Sequence, residues 1–284
     1  MFRNQYDGDA TTWSPQGRLH QVEYALEAIK QGSAAVGVVS NTHTVLVALK
    51  RNAEELSSYQ KKIVRIDDHV GVAIAGLAPD ARVLSNFMRQ QALASKMTFN
   101  RPIPIKRLVN MIAERAQLNT QEYGKRPYGV GMLVGGCDET GPHLYEFLPS
   151  GMVLEYLGTS MGARSQSART YLERNLQSFP AATREELVLY ALRALRDTLP
   201  QDHELTRQNV SICVVGKDEK FVLYDDDEET VQWLEKLGDT SPAAARSTAA
   251  AAAAAATATA AATSQEQQPE QATEESNPDA MDTN

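Results

Sequence analysis

Tyr6-Asp7, Trp13-Ser14-Pro15-Gln16-Gly17-Arg18 and Gln21-Val22-Glu23-Tyr24-Ala25 fall within the first thirty residues, and the reading of the whole chain turns on them. Ser14 is a residue type that caps helices by accepting a backbone N–H. Proline suits a first helical position, where its missing donor costs nothing. Leu19, Val22, Leu26 and Ile29 then recur at helical spacing,. The pattern predicts a short helix with one apolar stripe. Composition alone makes this an ordinary capped amphipathic helix. The string itself is longer and more mixed in chemistry than that role requires, and such strings rarely recur by chance.

Working outward, the 284 residues suffice for one large domain or two small ones, and 42% hydrophobic content supplies a sizeable core,. Charge is uneven along the chain. From Gly238 onward seven acidic residues against Arg246 give −6, which leaves −2 of the total −8 for residues 1–237. A nearly neutral body offers no electrostatic footprint for nucleic acid. Cys137 and Cys213 sit in apolar runs and read as small buried hydrophobes in a reducing compartment,. The opening Met1-Phe2-Arg3-Asn4-Gln5 has no apolar signal region, and no membrane span is expected, because the Ala249–Ala262 tract lacks large side chains,.

Short apolar runs over Ala34–Val39 and Thr44–Leu49, split by Ser40-Asn41-Thr42-His43, predict a hairpin,. Val70–Ala75 reads as a strand ending at Gly76, and Asp80–Gln91 and Ile105–Tyr123 as helices. Strands follow over Tyr128–Val134, His143–Phe147 and Met152–Leu157, then helices over Ala163–Leu176 and Glu185–Leu199. Strands at Val210–Val215 and Phe221–Tyr224 and a helix at Glu228–Leu237 close the body. Tight polar turns favour antiparallel sheets, and two sheets between pairs of helices satisfy the element order. Residues 238–284 are Ala, Thr, Gln, Glu and Pro with almost no apolar anchors, a composition expected to be disordered,.

Gly158-Thr159-Ser160-Met161-Gly162 matches the G-x-S-x-G pattern of a serine nucleophile between strand and helix,. An acid and a histidine must then follow. Only His203 does, crowded with Asp197 and Asp202 where little sheet remains to seat them, so a glycine-rich turn is the better reading. The histidines are scattered, no cysteine has a partner at ligand spacing, and no phosphate loop is present,. Lys61-Lys62-Ile63-Val64-Arg65 alternates like a strand edge with its charges facing solvent.

The opening strings resemble the N-terminal signature of proteasome alpha-ring subunits. Further blocks are similar to that family at family spacing: Gly32–Gly37, Ala75–Arg82, Arg126–Val130 and Gly162–Ala168. The resemblance covers about residues 1–237. Met1–Asn4, Tyr6–Asp9 and Ala48–Ala53 most resemble the subgroup at the sixth ring position. It implies an α+β fold, the four-layer α-β-β-α sandwich of N-terminal-nucleophile hydrolases, in a noncatalytic member. It also implies a 1–237 domain made of a gating tail (1–13), a signature helix (14–31) and the body, followed by a tail. The place of the catalytic threonine of related beta subunits falls at Ser33. That hydroxyl needs a free amine, hence cleavage after Gly32, which would remove the signature helix.

Three roles follow from the resemblance. Tyr6, Asp7 and Pro15 match a gating cluster whose usual arginine is Gly8 here. Lys62, in the frame ending at Asp67, matches a pocket lysine that meets the C-terminal carboxylate of activators, with Gly76 and Leu77 as the facing wall,. Arg18, Gln21, Glu23 and Tyr24 on the signature helix match ring-packing positions. Expected partners are neighbouring alpha subunits in a seven-membered ring, beta-ring subunits and activator tails, with no nucleic acid, membrane, metal or cofactor. The expected location is cytoplasm and nucleus. The competing reading is a stand-alone hydrolase using Ser160 or a processed Ser33.

Overall fold

The computed structural model describes residues 5–51, 56–58 and 60–242. The tail from Ala243, and with it most of the segment set apart by composition, lies outside the described residues, as do Met1–Asn4, 52–55 and 59. The described chain runs α1 (His20–Gln31), β1 (Ala35–Val39), β2 (His43–Leu49), β3 (Ile63–Asp67), β4 (Val70–Gly76), α2 (Ala78–Phe99) and α3 (Ile105–Gln121). It continues through β5 (Val130–Asp138), β6 (Gly141–Phe147), β7 (Val153–Glu155), β8 (Gly158–Met161), α4 (Ser165–Asn175) and α5 (Arg184–Arg196). Strands β9 (Val210–Gly216) and β10 (Val222–Asp225) and helix α6 (Glu228–Leu237) complete it.

The strands form two antiparallel sheets, ordered β10-β9-β2-β1-β8 and β3-β4-β5-β6-β7. Val36, Val38, Val45 and Val47 of the first sheet pack against Leu187, Val188 and Ala191 of α5, in a core that α4 and α6 help to close. On the second sheet Val72, Ile74, Met132 and Val134 meet Leu84 and Met88 of α2 and Leu108 and Ile112 of α3. Ala35, Leu46, Ala73, Leu133 and Leu144 fill the seam between the sheets. The architecture is therefore the expected α-β-β-α sandwich. Both faces of the central strands are covered, so β1 and β9 are buried at every residue. That double burial explains why the sequence shows continuous apolar runs, although antiparallel strands usually alternate. The seam is thin: a Cβ at Gly37 would stand 2.6 Å from Leu144 Cδ1.

The predicted hairpin is β1–β2, in register from Ala35↔Ala48 to Val39↔Thr44. Ser40 Oγ accepts the Thr42 and His43 N–H groups across its turn, at 3.3 and 3.2 Å. Helix α2 is longer than expected and closes only at Asn100, which adopts the left-handed conformation as a C-cap,. The run expected as a strand over 152–157 keeps only its middle, and the glycine-rich stretch expected as a turn after it is itself a strand. Residues Val153–Glu155 edge the second sheet, whereas Gly158–Met161 crosses to the first and pairs with β1, Val36 opposite Ser160. The body also extends past Leu237, since Thr240 O accepts the Leu205 N–H at 2.9 Å.

Candidate functional site

The two serines that resemble nucleophiles lie in the seam and its margin. Ser33 follows α1 with Gly32 alone between them, so its nitrogen is a peptide nitrogen. It is 2% exposed, and its Oγ has no hydrogen-bond partner among the described residues. The backbone around it is closed: Ala163 N–H donates to Gly32 O at 2.7 Å. Gly162, at φ +94°, passes so near that a Cβ there would stand 2.5 Å from Ser33 O,. Ser160 lies within strand β8, fully buried, and its Oγ donates to Ser165 O at 2.8 Å. Its own carbonyl accepts from Arg169 Nε and Nη2 at 3.0 and 2.9 Å. A strand residue facing a helix start is not a nucleophile elbow, and His203 is exposed. Activation of a serine needs a base within hydrogen-bond reach. Among the described residues, neither serine bonds to one. A cleft of about 780 Å³ between α1, β6–β7 and α4 is lined by neither.

At the rim, the signature departs from expectation in one respect. Ser14 does not cap a helix. Gly17 N–H donates to Ser14 O at 2.9 Å and Arg18 N–H to Ser14 Oγ at 3.1 Å, so residues 14–17 make a closed turn. Pro15 fits the second position of such a turn as well as it fits a helix start, and the turn wins. The helix begins at His20, with Leu19 at its N-cap and no side-chain cap. Arg18 and Glu23 then form a two-bond ion pair, both contacts at 2.6 Å, which folds the turn back onto α1. The hydrogen bond from Arg18 holds the Glu23 carboxyl below its ordinary range.

Two further signature residues reach the N-terminal segment. Gln21 Nε2 donates to Asp7 O at 2.5 Å, and Tyr24 OH donates to Asp7 Oδ2 at 2.9 Å. Asp7 is thereby tied to α1, while Ile29 at the other end of the helix enters the seam core. Tyr6, half-buried, and Pro15, exposed, take no part in these bonds.

Lys62 precedes β3, and its carbonyl accepts the Ile74 N–H of β4 at 3.0 Å, two residues before Gly76. It is 4% exposed, against the expectation of a solvent-facing charge. Burial, and secondarily Arg51 nearby, push its pKa down to about 8. Among the described residues no acid pairs with it. Gly76 has φ +112°, and a Cβ there would stand 2.3 Å from Gly129 O, so the chain's own backbone already occupies the close approach expected for a ligand,. Leu77, 47% exposed, donates its N–H to that same carbonyl at 2.8 Å.

An unforeseen carboxylate organises this wall. Asp80, in the first turn of α2 and 6% exposed, receives Arg126 Nη1 and Nη2 at 2.7 and 2.8 Å and Gly129 N–H at 2.9 Å. Arg126, and then the Gly129 N–H, hold its pKa below the usual carboxylate range against the opposing effect of burial. A helix start favours a carboxylate there as well. Asp80 and Arg126 each fall inside a string that the sequence marks, but nothing in the sequence says that the two strings touch. Among the described residues, no three His, Cys, Asp or Glu side chains gather as metal ligands. Cys213 is fully buried, which pushes its thiol pKa far up.

A family model described as proteasome subunit matches residues 29–215, and a second, described as the N-terminal signature of A-type proteasome subunits, matches residues 6–28. The chain is 76% identical over 248 residues to the probable alpha type-6 proteasome subunit of Schizosaccharomyces pombe, covering 87% of this chain and 91% of that protein. It is 58% identical to the alpha type-6 proteasome subunit of Saccharomyces cerevisiae over 79% of this chain and 97% of the relative. It is 55% identical to the alpha type-1 proteasome subunit of Caenorhabditis elegans over 80% and 87%.

Proposed function

The chain belongs to the proteasome subunit family as an alpha-type member, and from that premise we propose that it forms part of the entrance face of the core particle and receives activator tails at Lys62. As an alpha subunit it is a noncatalytic structural component whose partners are other proteasome subunits. The finer reading places it in a seven-membered alpha ring, between alpha neighbours and above beta subunits. There, α1 and the Asp7 tether hold the N-terminal segment near the pore and so influence substrate access. The particle would act in ubiquitin-dependent degradation in cytoplasm and nucleus.

The observation that carries the docking role is the Lys62 ammonium. It is nearly inaccessible, and no acid among the described residues neutralises it. A buried cation that no acid neutralises is costly in any fold. An incoming carboxylate relieves that cost, and a charge-assisted bond of this kind contributes ~1.5–3 kcal/mol. The test is a labelled peptide with the sequence of an activator C-terminus, titrated against particles carrying wild-type Lys62, Lys62→Ala or Lys62→Arg. Lys62→Ala should lose affinity by roughly ten- to a hundredfold. With a depressed pKa near 8, the wild type should also lose affinity as pH rises through about 8, while Lys62→Arg keeps its charge and shows no such fall,. Equal affinities for all three at every pH would remove Lys62 from the docking site.

A further inference from the structure

A second cleft, of about 600 Å³, opens where β3 forms the free edge of its sheet. Neither Lys62 nor Gly76 nor Leu77 lines it. Its floor is apolar, made by Ile63, Ile74 and Ala81, with the half-buried Val64 and Leu223. Its rim is cationic: Lys61, Arg65, Arg82 and Arg89 line it, and among the described residues no acidic one does. Arg65 is occupied by Asp68. Lys61, Arg82 and Arg89 are exposed and make no ion pair among the described residues.

The backbone of the edge is the second feature. Ile74 N–H donates to Lys62 O, so in an antiparallel ladder Lys62 and Val64 turn their peptide groups toward β4, and Ile63 and Arg65 turn theirs outward,. Arg89 Nε caps the Arg65 carbonyl at 2.9 Å. The Ile63 N–H and C=O and the Arg65 N–H therefore face the cleft. Exposed edges of this kind are templates for an added strand, and proteins usually blunt them. Here the cations discourage a second copy of the same edge by like-charge repulsion and leave it open to an acidic one.

From these features we propose that the β3 edge is a docking site for an extended, acidic segment of a partner protein. The segment pairs with Ile63 and Arg65 through its backbone and alternates apolar side chains over the floor with carboxylates against Lys61, Arg82 and Arg89. The site is separate from Lys62 and recognises an internal strand, with no need of a free C-terminus.

The probe is a fluorescein-labelled peptide alternating valine and glutamate, capped at both ends, with a valine–lysine peptide as control, titrated against the full-length chain. The acidic peptide should bind and the basic one should not. Lys61→Glu combined with Arg82→Glu should weaken binding by about tenfold or more. Both side chains are exposed, so the fold is not at risk, and Arg82→Ala should give a smaller loss of the same sign. Hydrogen exchange supplies the second readout: the Ile63 and Arg65 amides should be protected by the peptide and by no other addition. Equal binding of the two peptides, no effect of the charge reversal, or binding without protection of those amides would each overturn the proposal.

Discussion

The seam between the sheets and the rim where α1, the end of β4 and the start of α2 meet use opposite physics. Residues that look catalytic lie in or beside the seam, and those proposed to meet partners lie at the rim. In the seam, Leu46, Leu133 and Leu144 are at most 1% exposed and the polar atoms are few. At the rim, carboxylates join separate segments, Asp80 to Arg126 and Gly129 and Asp7 to Tyr24, and Glu23 holds Arg18 of the neighbouring turn. The seam supplies stability without chemistry. The rim supplies position, and its interactions depend on pH and salt in a way that the seam does not.

That contrast breaks most visibly on the seam side. Leu144→Ala removes a fully buried side chain that reaches β1 across the sheets, and should cost ~2–5 kcal/mol in denaturant unfolding of the full-length chain,. A loss below about 1 kcal/mol, by the same scale, would mean that the sheets do not interlock there.

Next in size is the rim clasp. Asp80→Ala strands the Gly129 N–H and frees Arg126, and should cost about 1–3 kcal/mol at neutral pH,. Because the folded pKa of Asp80 is lowered, its contribution is complete above the ordinary Asp value of about 4 and is lost as pH falls through the folded value,. The penalty of the substitution should therefore shrink in acid, whereas that of Leu144→Ala should not. A penalty for Asp80→Ala independent of pH would place its effect in packing.

The smallest effects separate the two serines, and here the sign is informative. Ser160→Ala deletes the bond to Ser165 O and should cost about 1 kcal/mol,. Ser33→Ala removes a buried hydroxyl that has no partner among the described residues and should be neutral or slightly stabilising,. Neither should alter any peptidase activity of the assembled particle. Loss of one such activity in a correctly assembled Ser33→Ala particle would overturn the noncatalytic account.

Much of this was legible in the sequence because it is local. The apolar runs place β1, β2, β4 and β9, and helical periodicity gives α3 and α6 nearly to the residue. What escaped depends on contacts across the fold. Gly158–Met161 carries no strand signal of its own and becomes β8 only because β1 offers an edge. Ser14-Pro15 satisfies the preferences of a helix start and of a turn equally, and the Gly17 and Arg18 N–H groups decide for the turn. The burial of Lys62 contradicts a simple alternating strand edge. The Asp80–Arg126 clasp is a pairing between distant strings that one sequence cannot reveal.

The central claim is that this chain keeps its N-terminal segment and that Ser33 never becomes an N-terminus. Mass measurement and N-terminal sequencing of the chain taken from the assembled particle test it directly. The account predicts a polypeptide that still carries the 14–17 turn and α1, with Ser33 internal. A chain beginning at Ser33 would contradict it, because the free amine needed to activate that hydroxyl would then be present.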